Sequence, residues 1–200
     1  MNFKSFRFFC VLVLLFCSLF LLQGNDLYAQ VGETGLFIDS RDSGLYSWAH
    51  LADGKYWMTT NLNYKQSIGN SWCYDYSPDN CTSYGRLYDW SAAQNACPDR
   101  WRLPSKQDFE LLLSAYGESA TKSYEALIAT DYTGFGQRMG GFYNAVSQSF
   151  FYLDALTTFW SNSSDGDGSA WELLISNDFS EALLLYSLGE GGKSVRCVQE

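Results

Sequence analysis

The sequence predicts an α+β domain in which two helices pack on short antiparallel strands joined by long loops. Three observations carry this. A hairpin pattern rich in aromatics comes first, two helical stripes follow each other in the middle, and short strand-like runs fill the last third. The helices are grouped and do not alternate with strands, which is the α+β order. With 200 residues, 46% of them hydrophobic, the chain supports one well-cored domain. Its 18% charged and 18% aromatic residues place it among ordered chains.

Gln30 to Thr34 reads as a flexible lead-in. Leu45–Leu51 and Lys55–Thr60 then flank Ala52-Asp53-Gly54, a hairpin signal because the turn needs positive φ. Asn61 to Tyr84 is rich in Asn, Ser and Tyr and reads as a long loop, which a Cys73–Cys81 bond would staple. In the first helix Trp90, Ala93 and Cys97 share a face, Asp89 caps the start and Pro98 stops the end. The second opens on Ser105 and Asp108, a capping-box pair that ties up free backbone N–H groups. Phe109, Leu112, Leu113 and Tyr116 form its apolar stripe, and Gly117 ends it. Thr157–Ser161, Ala170–Ile175, Ala182–Leu188 and Ser194–Val198 read as strands, with turns at Asn177-Asp178 and Gly189-Glu190-Gly191-Gly192. No repeat or Pro-rich linker divides residues 30–200, which form a single domain.

Residues 1–29 read as a secretory signal: Lys4 and Arg7, an apolar run from Phe8 to Leu22, and a small residue, Ala29, at the cut. The run is shorter than the roughly 20 apolar residues that span a bilayer. Cys17 follows leucines, but neither it nor Cys10 has the small residues that usually precede a lipid-bearing cysteine. No later stretch is apolar enough to span, so the mature protein is expected outside the cytoplasm, secreted, periplasmic or on the outer surface. Without the signal, 11 basic and 21 acidic side chains leave a net charge of −10, which argues against a nucleic-acid partner. Cys73, Cys81, Cys97 and Cys197 remain, an even number that reads as two disulfides with three possible pairings. A single histidine, His50, removes multi-histidine metal sites, and it lacks a convincing Ser or Cys partner. Asp39, Arg41 and Asp42 read as a solvated surface cluster, while Arg86 and Arg196 lie inside apolar runs and are expected to order loops through buried pairs.

Five motifs in order carry a resemblance: Tyr56-Trp57-Met58 with Asn61-Leu62-Asn63-Tyr64; Tyr84-Gly85-Arg86-Leu87-Tyr88-Asp89-Trp90; Ala96-Cys97-Pro98; Trp101-Arg102-Leu103-Pro104-Ser105; and Gly192-Lys193-Ser194-Val195-Arg196-Cys197-Val198. Together they resemble the Fibrobacter succinogenes major paralogous domain, a family of secreted bacterial domains, from about Gly35 to the C-terminus. That family resembles the C-type-lectin-like fold. The resemblance implies Cys97–Cys197, first helix to closing strand, and leaves Cys73–Cys81 as a local pair. Departures limit what carries over. Asp108 stands where a Glu is commoner, and the second internal lectin disulfide has no cysteines here. The Glu-Pro-Asn and Gln-Pro-Asp motifs of calcium-dependent sugar binding are missing, and Trp160-Ser161-Asn162 only loosely echoes Trp-Asn-Asp. The formylglycine-generating enzymes of this fold need a reactive cysteine pair late in the chain, where this one has Cys197 alone.

The expected function is therefore non-enzymatic: a binding module for a glycan or a surface protein, or else an assembly component of an envelope complex. Tyr132 to Trp171 is the candidate binding region, with Tyr143, Trp160, Asn162 and Trp171 as ligand-binding residues. Asp165 and Asp167, on a Gly-flexed loop, are the candidate calcium ligands, although the full twelve-residue calcium-loop pattern is absent. No other cofactor is expected.

Overall fold

A computed structural model describes residues 32–117, 119–129, 135–136 and 138–199. The signal segment 1–29, with Cys10, Cys17 and the Ala29 cut, lies outside the described residues, as does Tyr132. No helix among those described is long and apolar enough to cross a membrane.

Strands β1 (Thr34–Ile38), β2 (Leu45–His50) and β3 (Tyr56–Met58) form an antiparallel meander. The Asp53-Gly54 turn falls where expected, with Gly54 at φ 79°. The lead-in does not extend to Thr34, which already pairs with Ala49 in β1. The Asn61–Tyr84 stretch is more structured than a loop. It holds β4 (Ser71–Trp72), a 3-10 turn at Tyr74–Tyr76 and helix α1 (Pro78–Tyr84), because Pro78 presets the first helical turn and the Cys73–Cys81 bond closes the segment on itself. After β5 (Leu87–Tyr88), the first expected helix is α2 (Trp90–Ala93), capped by the Asp89 carboxylate, which accepts from Ala92 N at 2.8 Å. It ends sooner than its stripe suggests and passes into tight turns as far as Ala96.

The second expected helix is α3 (Lys106–Tyr116), and its capping box is formed in full. A further helix, α4 (Ala120–Ile128), was not apparent in the sequence, so two helices become four among the described residues. Strands β6 (Gly140–Asn144), β7 (Ser149–Leu153), β8 (Leu156–Ser164), β9 (Ser169–Ser176) and β10 (Glu181–Leu188) build a five-stranded sheet in the order β10-β9-β8-β6-β7. The β6–β7 hairpin was also unforeseen. Strand β11 (Val198–Gln199) closes the first sheet beside β3.

Residues opposite each other in an antiparallel pair share a face. Phe159, Leu173, Ile175 and Ala182 thus share one face of the large sheet, and they pack with Phe109 and Leu112 of α3 and Leu127 of α4. A second core cluster surrounds Trp160, Tyr88, Leu62 and Cys197. The Ser194–Val198 run is not a continuous strand. Gly192, Lys193, Ser194 and Val198 each bond to a different partner strand or loop, at Tyr143, Tyr88, Thr158 and Arg102.

Asp108 draws three segments together. Its carboxylate accepts from Ser105 N at 2.6 Å, takes a two-pronged contact from Arg102 at 2.6 and 3.1 Å, and lies 3.6 Å from Lys55 Nζ. Burial pushes its pKa upward, but the Arg102 and Ser105 hydrogen bonds outweigh this and hold the carboxyl well below 3.8. A folded-state pKa below the unfolded value means stability that is present above about pH 4 and lost as pH falls further. Asp108→Asn is expected to destabilise by roughly 2–4 kcal/mol at pH 7 and to flatten the acid limb of stability against pH, measured by urea unfolding.

Both bonds, Cys73–Cys81 and Cys97–Cys197, are present as expected. The second closes a loop of 100 residues, so Cys97→Ser/Cys197→Ser is expected to cost about 4–5 kcal/mol in urea unfolding, against roughly 2–3 kcal/mol for Cys73→Ser/Cys81→Ser.

Candidate functional site

Helices α3 and α4 cover one face of the large sheet, while on the second face Trp160 is buried in one cluster with Ala92 and Ala93 of α2 and the edge strand β10 is left open. On that second face, Leu183 stands opposite Leu174, and Leu185 opposite Glu172. Leu183 is 36% and Leu185 38% exposed, so this end of the face is uncovered. Strand β10 reads Glu-Ala-Leu-Leu-Leu-Tyr-Ser-Leu, and successive leucines in a strand put apolar side chains on both faces. Leu184 meets the core, while Leu183 and Leu185 face solvent.

Across the sheet the strip continues through a buried ion pair. Lys193 Nζ lies against Glu172 Oε2, 4.7 Å above the Trp160 ring and 5.9 Å from the Phe142 ring centre. Phe142 packs beside Phe151 at 5.7 Å between centroids and beside Tyr152 at 5.9 Å, and both neighbours are exposed. At one end the strip opens into a cavity of about 200 Å³ lined by Phe142, Val146, Ser187, Leu188, Glu190 and Lys193, among others. The Ser187 hydroxyl oxygen is buried there without a hydrogen-bond partner. Leu188 and Val146, 67% and 88% exposed, stand at the rim.

Gly141 and Gly192 make the hairpin's position possible. Gly141 has φ 64°, and a Cβ there would collide with the Phe151 carbonyl oxygen. A Cβ on Gly192 would lie 2.9 Å from Trp72 and Tyr143 side-chain carbons. These close approaches let the β6–β7 hairpin seat against the closing segment.

The residues expected to bind ligand are mostly not assembled here. Trp160 is fully buried, and its indole N–H donates to Tyr88 O at 2.7 Å. Tyr143 is 7% exposed and stacked on Trp72 at 4.4 Å. Neither ring offers a free face, so the sugar-stacking role read for them in the sequence is corrected: their aromatic area is used inside the protein. Trp171 is half-buried on the helix-covered face, with Lys106 Nζ 4.5 Å from its ring and Tyr186 beside it. Asn162 is exposed, and its backbone N–H donates to Pro104 O at 2.8 Å. Within the 132–171 region it is the β6–β7 hairpin that reaches the open strip.

Asp165 and Asp167 sit on the exposed β8–β9 turn. Asp167 Oδ1 accepts from Ser169 N at 2.8 Å and from the Tyr186 hydroxyl at 3.0 Å, and the Ser169 backbone N–H helps hold its pKa below 3.8. Among the described residues, no three His, Cys, Asp or Glu side chains converge as a metal site would require. His50 is buried at the end of β2, 4.7 Å from the Tyr56 ring.

The Asp39 cluster is not a solvated one. Asp39 is fully buried, and Arg41 clasps it at 2.6–3.1 Å. Arg41 also donates to Ala96 O at 2.9 Å and lies 3.8 Å from the Tyr64 ring centre, so the pair fastens the β1–β2 turn to the segment after α2. Arg196 is buried as expected, but its partners are the Asn61 amide oxygen at 2.8 Å and backbone carbonyls. Arg86 is half-buried, near the Ser71 hydroxyl.

Residues 52–199 match the family model of the Fibrobacter succinogenes major domain. No curated protein and no solved structure matches the chain. Because Asp165 and Asp167 serve the turn itself, the melting temperature is expected to be the same in chelator and in millimolar Ca²⁺. A calcium-dependent rise in a thermal scan would instead identify the turn as a cation site.

Proposed function

The chain belongs to the Fibrobacter succinogenes major domain family, and we propose that it is a non-enzymatic, extracytoplasmic binding module with a C-type-lectin-like fold whose ligand is a protein surface. Two disulfides in so short a chain support a location outside the reducing cytoplasm. The observation that carries the reading is the pair Leu183 and Leu185, exposed on the face of the edge strand β10 that turns away from α3 and α4.

Aliphatic side chains favour a protein partner over a glycan. Sugar rings pack on flat aromatic faces, and the indole and phenol best placed in the sequence for that, Trp160 and Tyr143, are buried. Leucines on a rigid strand instead suit an apolar patch on another protein, with Glu190 and the exposed hairpin turn as a polar rim. Nothing near the strip offers an outside substrate a free nucleophile beside a base. Lys193 and Glu172 are engaged with each other, and the Ser187 hydroxyl has no partner to activate it.

Leu183→Glu/Leu185→Glu separates binding from folding, because both side chains already touch solvent. The double variant is expected to keep its melting temperature within a few degrees and to lose about tenfold or more in affinity for an envelope protein that the wild-type chain retains. A glycan array probed with both proteins covers the competing ligand. Equal retention of the envelope protein by the variant, or glycan binding that survives both substitutions, overturns the reading.

A further inference from the structure

Lys193 and Glu172 are the most deeply placed cation–carboxylate pair in the open sheet, with side chains 10% and 5% exposed. Lys193 Nζ touches Glu172 Oε2, yet among the described residues that buried oxygen has no partner in hydrogen-bond geometry. The surroundings are the faces of Trp160 and Phe142. A pair of full charges in such a place is poorly compensated. Attraction between buried ions offsets their desolvation only when further hydrogen bonds satisfy the remaining protons and lone pairs.

Both groups are also held rigidly. Glu172 sits in the middle of β9, between Trp160 of β8 and Leu185 of β10. Lys193 is fixed by two backbone hydrogen bonds to Tyr88, at 2.8 and 2.9 Å. Reacting groups held in contact on rigid elements gain effective concentrations on the order of 10⁵–10⁸ M.

We propose that Lys193 and Glu172 condense into an intramolecular amide that joins the closing segment covalently to β9. The condensation begins with transfer of one proton from the Lys193 ammonium to the Glu172 carboxylate, which puts an amine and a carboxylic acid in contact. The Nζ lone pair then attacks Cδ, and the new C–N bond forms. One carboxyl oxygen leaves as water with two protons, the one passed earlier and one from the attacking nitrogen. Ammonium plus carboxylate thus gives amide plus water, with no oxidant and no further reactant. The cavity lined by Lys193 gives the water an exit. The product is neutral, so the buried charges disappear, and the terminal segment gains a second covalent tie besides Cys97–Cys197.

Intact-mass measurement of the secreted, reduced and alkylated protein tests this. The wild type is expected to be lighter than its sequence by one water, with a branched peptide joining Lys193 to Glu172 after proteolysis. Lys193→Arg is expected to show the full mass. Glu172→Gln, which releases ammonia in place of water, is expected to reach the same cross-linked mass as wild type, so the proposal stays testable if the arginine variant does not fold. A wild-type chain at full mass overturns the proposal. So does a water loss that maps to Asp53-Gly54, Asp165-Gly166 or Asp167-Gly168, where aspartate–glycine pairs can cyclise on their own backbone.

Discussion

The structure depends on the burial of its closing segment, Gly192 to Val198, and above all on Arg196. The guanidinium is fully buried between the Phe135 and Phe159 rings, 4.6 and 5.2 Å from their centres. It donates to Asn61 Oδ1 and to the carbonyls of Met58 and Gly136. Among the described residues no carboxylate pairs with it. Burial, and secondly the nearby charge of Arg138, push its pKa down to about 9, which leaves it charged at neutral pH. A buried cation held only by dipoles and ring faces permits one arrangement, since moving any partner strands the charge. The loop after β3, the stretch before β6 and the closing segment must therefore meet at one point.

The same segment explains how three sheets act as one body. Gly192 bonds to β6, Lys193 to β5, Ser194 to β8 and Cys197 to β3, so a single extended run replaces the side-by-side strands that a larger sheet would use. The perimeter is fastened by local clasps: Asp108 with Arg102 and Lys55, Arg41 with Asp39, and the Cys97–Cys197 bond. On the second face of the large sheet Trp160 and Glu172 are buried, and Leu183 and Leu185 on the edge strand β10 stay exposed.

Features set by neighbours in the chain were legible from residue order. The Ser105–Asp108 capping box, the Asp89 cap, the Asp53-Gly54 turn and strands β8 to β10 follow from local hydrogen bonding and alternation, which operate over a few residues. The disulfide pairing came instead with the family resemblance. What local pattern missed depends on distant partners. Strand β1 pairs with β2 although its sequence is unremarkable, the β6–β7 hairpin has no strong turn dipeptide, and α1 forms inside a polar stretch that its own disulfide closes. Asp39 looked like a surface charge because its burial comes from Arg41 reaching residues 55 and 56 positions further along.

The binding surface divides the same way. The consecutive leucines of β10 already imply a strand with two apolar faces, one of which must lack a partner unless the sheet is covered on both sides. Residue order could not say which aromatics would be free, because a tryptophan reads alike in a core and on a rim. Trp160 and Tyr143 are buried by Tyr88, Trp72 and Lys193, contacts made across 33 to 72 residues. The sequence by itself determined the α+β class, the helix caps and the acidic, cysteine-stapled character of the chain, all of which arise from short-range bonding or simple counting. Only the tertiary structure decided where the uncovered face lies and which charges are enclosed, since burial is a property of what packs on a residue.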